Sequence, residues 1–253
     1  MAKKPAAKPA AKPAAKPSAK PAAKPAPQPA ARPADPRRAT VEALLSLAAD
    51  QPYDTISLTD IAGTAGISLA DLRDLFPSKG AILGGFMRMI DREVLTVSTA
   101  DMADESAHDR VLDVMIRRFE AIAPYKAGLR SVQRAVRRDP ALALALNQAA
   151  LNSWRFLLES AGIDVNGSLG FVRTQGAVLV FTRVFDTWLE DDEDMAKTMA
   201  ALDRELKTGE KMLGAADALH RLSAPFRGLA RAVCERRSPR KSQADDARTG
   251  TAF

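Results

Sequence analysis

The sequence predicts an all-α protein with a three-helix N-terminal head, a larger helical body and a disordered N-terminal tail. Apolar residues recur at intervals of three and four in almost every segment after residue 38, which is the period of an amphipathic helix. Prolines and glycines separate these segments, and no run shows the alternation typical of a strand. Such a chain builds its core by packing helix on helix. We expect four regions: a tail at 1–36, the head at 37–95, the body at 96–237 and a flexible C-terminus at 238–253.

The first 38 residues are a degenerate repeat of Ala, Lys and Pro. They contain ten prolines and almost no apolar side chain larger than Ala, so they cannot bury enough surface to fold. They also hold ten Lys or Arg and one acid, whereas residues 39–253 carry 27 basic and 30 acidic groups. The pI of about 9.6 therefore belongs to the tail. A tail of this kind binds polyanions without sequence preference; the alternative is a flexible, solubilising extension.

Residues 57–79 predict two short helices joined by a tight turn, which is the layout of a helix-turn-helix. Ser57 caps the first helix, with Asp60 as its capping-box partner, and Ser68 and Asp71 repeat the pattern for the second. A glycine lies where the chain must reverse, a conformation that glycine adopts cheaply. The apolar residues expected to hold the pair together are Leu58, Ile61, Ala62, Ala65, Leu72 and Phe76.

The remaining helices follow from the same periodicity and the same breakers. Asp50-Gln51-Pro52 ends the helix before the helix-turn-helix, and Pro124 and Pro140 bracket another. The helices are predicted at 39–50, 79–97, 107–122, 125–138, 141–161, 168–190, 193–214 and 216–236.

A family resemblance is carried by the stretch SLTDIAGTAGIS, by the apolar helix before it and by the closing LFPSKGAIL. Over about residues 37–95 the chain resembles the N-terminal domain of TetR-type transcriptional regulators. The resemblance implies a head that binds double-stranded DNA and a body that binds a ligand. It also implies a homodimer through the last two long helices, here within 168–214, since two half-sites need two heads. The alternative is that these are ordinary core helices of a monomer.

The second helix of the motif is expected to face DNA. Its free side presents Arg73, which can pair with guanine or with a phosphate. Residues near the starts of the neighbouring helices can hold phosphates through side chains and free backbone N–H groups. The residues predicted to bind DNA are Ser57, Thr59, Ser68, Leu69, Arg73 and Lys79.

This helix departs from the family pattern. TetR-type recognition helices usually carry Tyr at the position of Arg73 and His or Tyr at that of Leu75. The chain has neither aromatic, and it adds Asp71 and Asp74, which phosphates repel. Asp71 is explained as a cap, and Asp74 is not. The competing interpretation is a helix-turn-helix retained for packing alone.

The body contains a cluster of aromatic residues. A helical core explains most of them, while the TetR resemblance implies a pocket for an effector in residues 107–214. The candidates to line a pocket for an unknown small apolar effector are Phe119, Trp154, Phe181 and Phe185.

The helix expected at 216–237 is basic and amphipathic. Such a helix can touch an anionic membrane surface or dock on its own protein. In addition, residues 186–206 are similar to the late helices of TetR-fold accessory proteins of ubiquinone biosynthesis, which bind isoprenoid lipids and not DNA. The alternative functions are therefore an isoprenoid or quinone carrier and, more weakly, a nucleoid-associated protein that binds through its tail.

Enzyme chemistry is not indicated. His108 and His220 lack companions at metal-ligand spacing, so no metal, cofactor or catalytic residue is expected. The single cysteine, Cys234, fits a reducing compartment. No run approaches the roughly 20 apolar residues that cross a bilayer, and no signal peptide is recognisable. The sequence predicts a cytoplasmic protein.

Overall fold

The computed structural model describes residues 33–97, 102 and 104–211, and the described residues form helices without any strand. The all-α prediction is confirmed. The region expected as the head contains four helices: α1 (Pro36–Asp50), α2 (Leu58–Ala65), α3 (Leu69–Leu75) and α4 (Lys79–Thr96). The body continues with α5 (Ala107–Ile122), α6 (Lys126–Val136), α7 (Pro140–Ser160), α8 (Gly167–Glu190) and α9, which covers 196–211 and reaches the last described residue.

Helix α1 begins earlier than its apolar pattern suggests. The Asp35 side chain accepts hydrogen bonds from the backbone N–H groups of Arg37 and Arg38, both at 3.1 Å, and Pro36 occupies the first helical turn. An aspartate cap followed by proline is a strong helix start. Pro36, the last residue of the predicted tail, therefore belongs to the first helix.

The helix-turn-helix is built by its caps. Capping boxes are present at Ser57 with Asp60 and at Ser68 with Asp71, and Gly66 has a φ of 67° at the turn. These three predictions are confirmed. The prediction for Leu58 is wrong, because this side chain is 41% exposed. It lies in the first turn of α2, where the neighbouring helices do not cover it, unlike the buried apolar residues of the next turns.

Helix α4 joins the head to the body. It packs against α1 in the head and against α5 and α7 in the body, so one continuous hydrophobic core spans both parts. Its side chains Ile82 and Ile90 are completely buried. In the body the largest buried side chains are Phe119, Trp154 and Trp188. The head is therefore a packed extension of the body.

Helix α6 makes a second connection between the body and the head. The backbone N–H of Tyr53 donates to Ser131 Oγ at 2.9 Å, and Ser131 Oγ donates to the Gln51 carbonyl at 3.1 Å. One turn earlier, Gly128 lies against the backbone of Leu45 so closely that a Cβ would stand 2.3 Å from that carbonyl oxygen. Only glycine permits this approach of α6 to α1.

Helix α9 starts three residues later than predicted. The Asp191 carboxylate accepts hydrogen bonds from the backbone N–H and the hydroxyl of Thr198, each at 2.7 Å. Met195, in the turn between them, has a φ of 52°. Because the chain loops back for this cap, the residues just after α8 form a turn.

Several predictions fall outside the described residues. They concern most of the basic tail, the helix at 216–237, the C-terminus at 238–253, His220 and Cys234. Within the described part, no helix is both long and apolar enough to cross a membrane.

Candidate functional site

Helix α3 presents one face to solvent and one to the head. Leu72 is 1% exposed and anchors the helix. The opposite face leaves five residues exposed, among them Arg73, which the sequence predicted for it: Ser68, Leu69, Ala70, Arg73 and Asp74. Leu69 is 50% exposed. The α3 face thus offers one cation, one acid, a hydroxyl and apolar surface.

The two serines predicted to bind DNA, Ser57 and Ser68, cap their own helices. Ser57 Oγ accepts from the Asp60 backbone N–H at 3.1 Å, and Ser68 Oγ accepts from the Asp71 backbone N–H at 3.0 Å. Hydrogen bonds from Ser57 hold the pKa of the Asp60 carboxyl below its usual value. The capping carboxylate therefore stays ionised, and phosphates approaching α2 meet its charge. Thr59 is exposed beside it.

The Lys79 ammonium, which the sequence predicted to bind phosphate, instead binds backbone carbonyl groups of the protein. Its Nζ donates to the carbonyl oxygens of Tyr53 at 2.7 Å and Ile56 at 2.9 Å, and it lies 4.3 Å from the centre of the Tyr53 ring. Burial lowers the pKa of Lys79, and the charge of Asp54 opposes that shift. The ammonium thus holds the segment before α2, so phosphate binding at Lys79 remains a prediction for its backbone N–H.

Arg37 is a cation near the end of α3 that the sequence analysis did not select for DNA binding. Its guanidinium lies 5.4 Å from the centre of the Phe76 ring, directly after the end of α3. Its neighbour Arg38 is instead bound to Glu42 at 2.7 Å. Its position could have pointed to it, because Arg37 lies in the first turn of the helix that follows the basic tail.

A cavity of about 280 Å³ lies in the body between α4, α5, α6, α7 and α8. Its volume is close to the lower end of small-molecule sites, about 300 Å³. Most of its wall is apolar, with a few polar side chains. The lining residues used below are Ile90, Arg118, Gln133, Asn147, Trp154 and Thr182.

Three of the four residues predicted to line a pocket do so. Trp154, Phe181 and Phe185 contribute to the cavity wall. Phe119 does not line it: this side chain is completely buried and stacks behind Phe181, with ring centroids 4.4 Å apart. Phe119 therefore supports the wall from behind. Spacing along a helix could not separate these two roles, because both positions are apolar and face inward.

A buried ion pair lies at one end of the cavity and also borders a second cavity of about 450 Å³, which Asp91 and Ser153 line. Arg118 Nη1 donates to Asp91 Oδ1, which also accepts from the Ser153 hydroxyl at 2.7 Å. The guanidinium lies 5.4 Å from the Trp154 ring centre. Burial lowers the pKa of Arg118, while the charge of Asp91 opposes that shift. The pair ties α4 to α5 and α7, and its two charges cancel.

Residues 33–97 and 104–211 contain no group of three His, Cys, Asp or Glu that could hold a metal ion. His108 is bound between two carboxylates of α9, Asp203 at 3.2 Å and Glu210 at 3.1 Å. It therefore joins α5 to α9.

Two solved structures share this fold. A TetR transcriptional regulator from Nitrosomonas europaea ATCC 19718 is 19% identical, with a TM-score of 0.55 over 69% of this chain and 97% of its own. A TetR transcriptional regulator from Rhodococcus sp. RHA1 is also 19% identical, with a TM-score of 0.51 over 69% of this chain and 95% of its own. The chain thus has the TetR-regulator fold, and the resemblance seen over 37–95 is confirmed and extends into the body.

Comparison by sequence adds nothing further. No protein-family model matches the chain. No curated protein matches it either.

Proposed function

We propose that the chain is a ligand-responsive, homodimeric transcriptional regulator that reads an operator with α3. One observation carries the proposal: α4 starts directly after α3, and its middle turns line the body cavity. Leu83, Phe86 and Ile90 of this helix contribute to the cavity wall. A ligand that fills the cavity therefore contacts α4, the helix that directly follows the reading helix α3 in the chain.

DNA reading is assigned to the exposed face of α3. Arg73 pairs with a guanine edge or a phosphate, and Ser68 and Leu69 lie beside it. Ser57, Thr59 and the backbone N–H of Lys79 lie toward the flanking phosphates. In support, Arg73 forms no ion pair with any described residue. Its charge is therefore free for DNA.

Dimerisation is assigned to the outer face of α8 together with α9. Phe171, Val172 and Leu179 are 61%, 45% and 48% exposed on one side of α8, and Met199 of α9 is 40% exposed. Exposed apolar groups concentrated on one face are typical of an interaction site. A second copy packed there by two-fold symmetry covers both faces at once. The proposed interface lies within 168–214, the range that the TetR resemblance implies.

For regulation, the ligand needs only to bind two arrangements of the dimer with different affinity. A small apolar ligand that binds one arrangement of the two heads better than the other shifts the population toward that arrangement. Helices α4 and α6 connect the cavity to the head, and both contribute residues to its wall. Ligand binding therefore changes the spacing of the two α3 helices.

The test is selection of genomic DNA fragments at physiological salt by two forms of the protein. One is the full chain, and the other starts at residue 33, so that it lacks most of the tail but keeps the Asp35 cap. Enrichment of the same palindrome by both forms is expected. Loss of all binding without the tail would instead favour a nucleoid-associated protein. No palindrome from two folded samples would contradict the regulator.

A second candidate is a carrier of an apolar molecule on the same fold. The apolar cavity and the acidic Asp74 on the α3 face favour it. The size of the cavity opposes a long isoprenoid chain, because about 280 Å³ encloses only a compact molecule. Extraction of a bound lipid from purified protein that selects no DNA would support the carrier.

A further inference from the structure

The body cavity has a closed end and a mouth of different character. At the closed end, Ile90 and Trp154 are 0% and 1% exposed. At the mouth, Thr182 is exposed, and Gln133 and Asn147 are half-buried. A ligand therefore enters between α6, α7 and α8 and reaches α4 with its leading end.

The closed end is polar but carries no net charge. Among the described residues that line the cavity, Arg118 alone is charged, and Asp91 offsets it. The hydrogen bond to Asp91 uses one N–H of Nη1, and a guanidinium has five N–H donors. No described residue accepts from the other donors, and an unmet donor is costly at a residue that is only 5% exposed.

The mouth offers one acceptor and one donor. The Gln133 amide nitrogen donates to Asp186 at 2.9 Å, which leaves its carbonyl oxygen to a ligand. The Asn147 amide oxygen accepts from Gln175 at 3.4 Å, which leaves its NH₂ group. Both groups are neutral, so neither end of the cavity favours an ion.

We infer that the cavity takes a compact, uncharged, apolar ligand whose leading end carries a carbonyl or similar acceptor for Arg118. An anionic ligand would put a second negative charge beside Asp91 in a poorly hydrated site. A cationic ligand would meet the guanidinium. A pure hydrocarbon would leave the guanidinium donors unmet. The inference rests on the ligand site of the proposed function and does not depend on DNA reading.

Three tricyclic probes of nearly equal shape test the inference on the full chain without DNA: fluorene, fluorenone and fluorene carboxylate. They present no acceptor, a neutral acceptor and an anion, respectively. A hydrogen bond to a charged group is worth about one factor of ten or more in affinity. We expect calorimetric titration to show fluorenone binding at least about tenfold more tightly than either other probe.

A double variant assigns that preference to the buried pair. Asp91→Asn with Arg118→Gln removes both charges together, which proteins tolerate better than the loss of one partner. The advantage of fluorenone over fluorene should fall below about threefold, while the affinity for fluorene stays within about a factor of two. The matched control is Arg38→Gln with Glu42→Gln, an exposed pair on α1, which should leave all three affinities unchanged.

The outcomes separate this inference from the proposed function. Equal binding of fluorene and fluorenone, tighter binding of the carboxylate, or no binding of any probe would each overturn it, whatever the double variant does. Selective fluorenone binding by a protein that enriches no palindrome would sustain the ligand class and refute the regulator. An enriched palindrome with no preference for fluorenone would support the regulator and refute the ligand class.

Discussion

The close approach of α6 to α1 gives the sharpest test of how the head is fixed to the body. At Gly128 an added Cβ would stand 2.3 Å from the Leu45 carbonyl oxygen, whereas ordinary contact begins at 3.4 Å. Gly128→Ala therefore requires the two helices to separate by about 1 Å. The hydrogen bond from Tyr53 to Ser131, one turn away, lengthens with that movement.

The expected cost follows from three contributions. Overpacking costs about 1–3 kcal/mol, and a weakened buried hydrogen bond adds about 0.5–1.5 kcal/mol. Alanine gains about 1 kcal/mol over glycine in a helix. We therefore expect Gly128→Ala to lower the free energy of unfolding by about 0.5–3.5 kcal/mol. At about 2–4 °C for each kcal/mol, the fall in Tm is measurable.

The matched control is Gly63→Ala in α2, where an added Cβ meets nothing within 4 Å. This variant should gain about 0.5–1 kcal/mol from helix propensity alone. Urea unfolding followed by circular dichroism measures both. Equal stabilisation by the two alanines would show that α6 does not hold α1 as closely as described.

The remaining predictions concern three buried groups. Asp191→Asn weakens the cap of α9 and should cost about 1–3 kcal/mol near neutral pH. Burial acts to raise the pKa of Asp191, but hydrogen bonds from the first turn of α9 outweigh it and hold that pKa below 3.8. The stabilisation is present above this value and is lost as the pH falls through the folded-state pKa, so the Tm values of the two proteins should converge below about pH 4. A Tm gap that persists at lower pH would contradict this. Asp91→Asn alone leaves the charge of Arg118 unpaired and should cost about 3–5 kcal/mol in urea unfolding, more than the double variant with Arg118→Gln; a smaller loss than in the double variant would refute the pairing. Leu157→Ala, at a side chain that is 0% exposed, should cost about 2–5 kcal/mol by the same measurement, while Leu144→Ala, at one that is 63% exposed, should stay within about 0.5 kcal/mol. Similar losses at both leucines would mean that α7 faces the core differently.

The helix-turn-helix could be predicted because its signals are local. The capping boxes at Ser57 and Ser68 and the turn at Gly66 involve residues within three positions of each other. Helix periodicity likewise placed α5 without error, and the other helix ends to within about three residues. Local chemistry thus carried most of the fold.

The rest depends on contacts between distant segments. The hydrogen bonds from Lys79 Nζ to the Tyr53 and Ile56 carbonyls join positions more than 20 residues apart, and sequence spacing does not predict such bonds. No sequence pattern pairs Arg118 with Asp91, because the two residues are 27 positions apart on different helices. The cavity is likewise a property of five helices together, so the sequence suggested its aromatic residues but not its polarity.

Whether α3 reads DNA sequence is tested by the specificity of Arg73→Ala, which is its affinity for the operator divided by its affinity for random DNA. On a palindrome selected by the full chain, each bidentate base contact is worth about 1–3 kcal/mol. Arg73→Ala should reduce the ratio of operator affinity to random-DNA affinity by at least about fivefold at fixed salt, with folding intact. Arg137→Ala, at an exposed ion pair with Asp186 in the body, should leave the ratio unchanged. An unchanged ratio in Arg73→Ala would contradict the account.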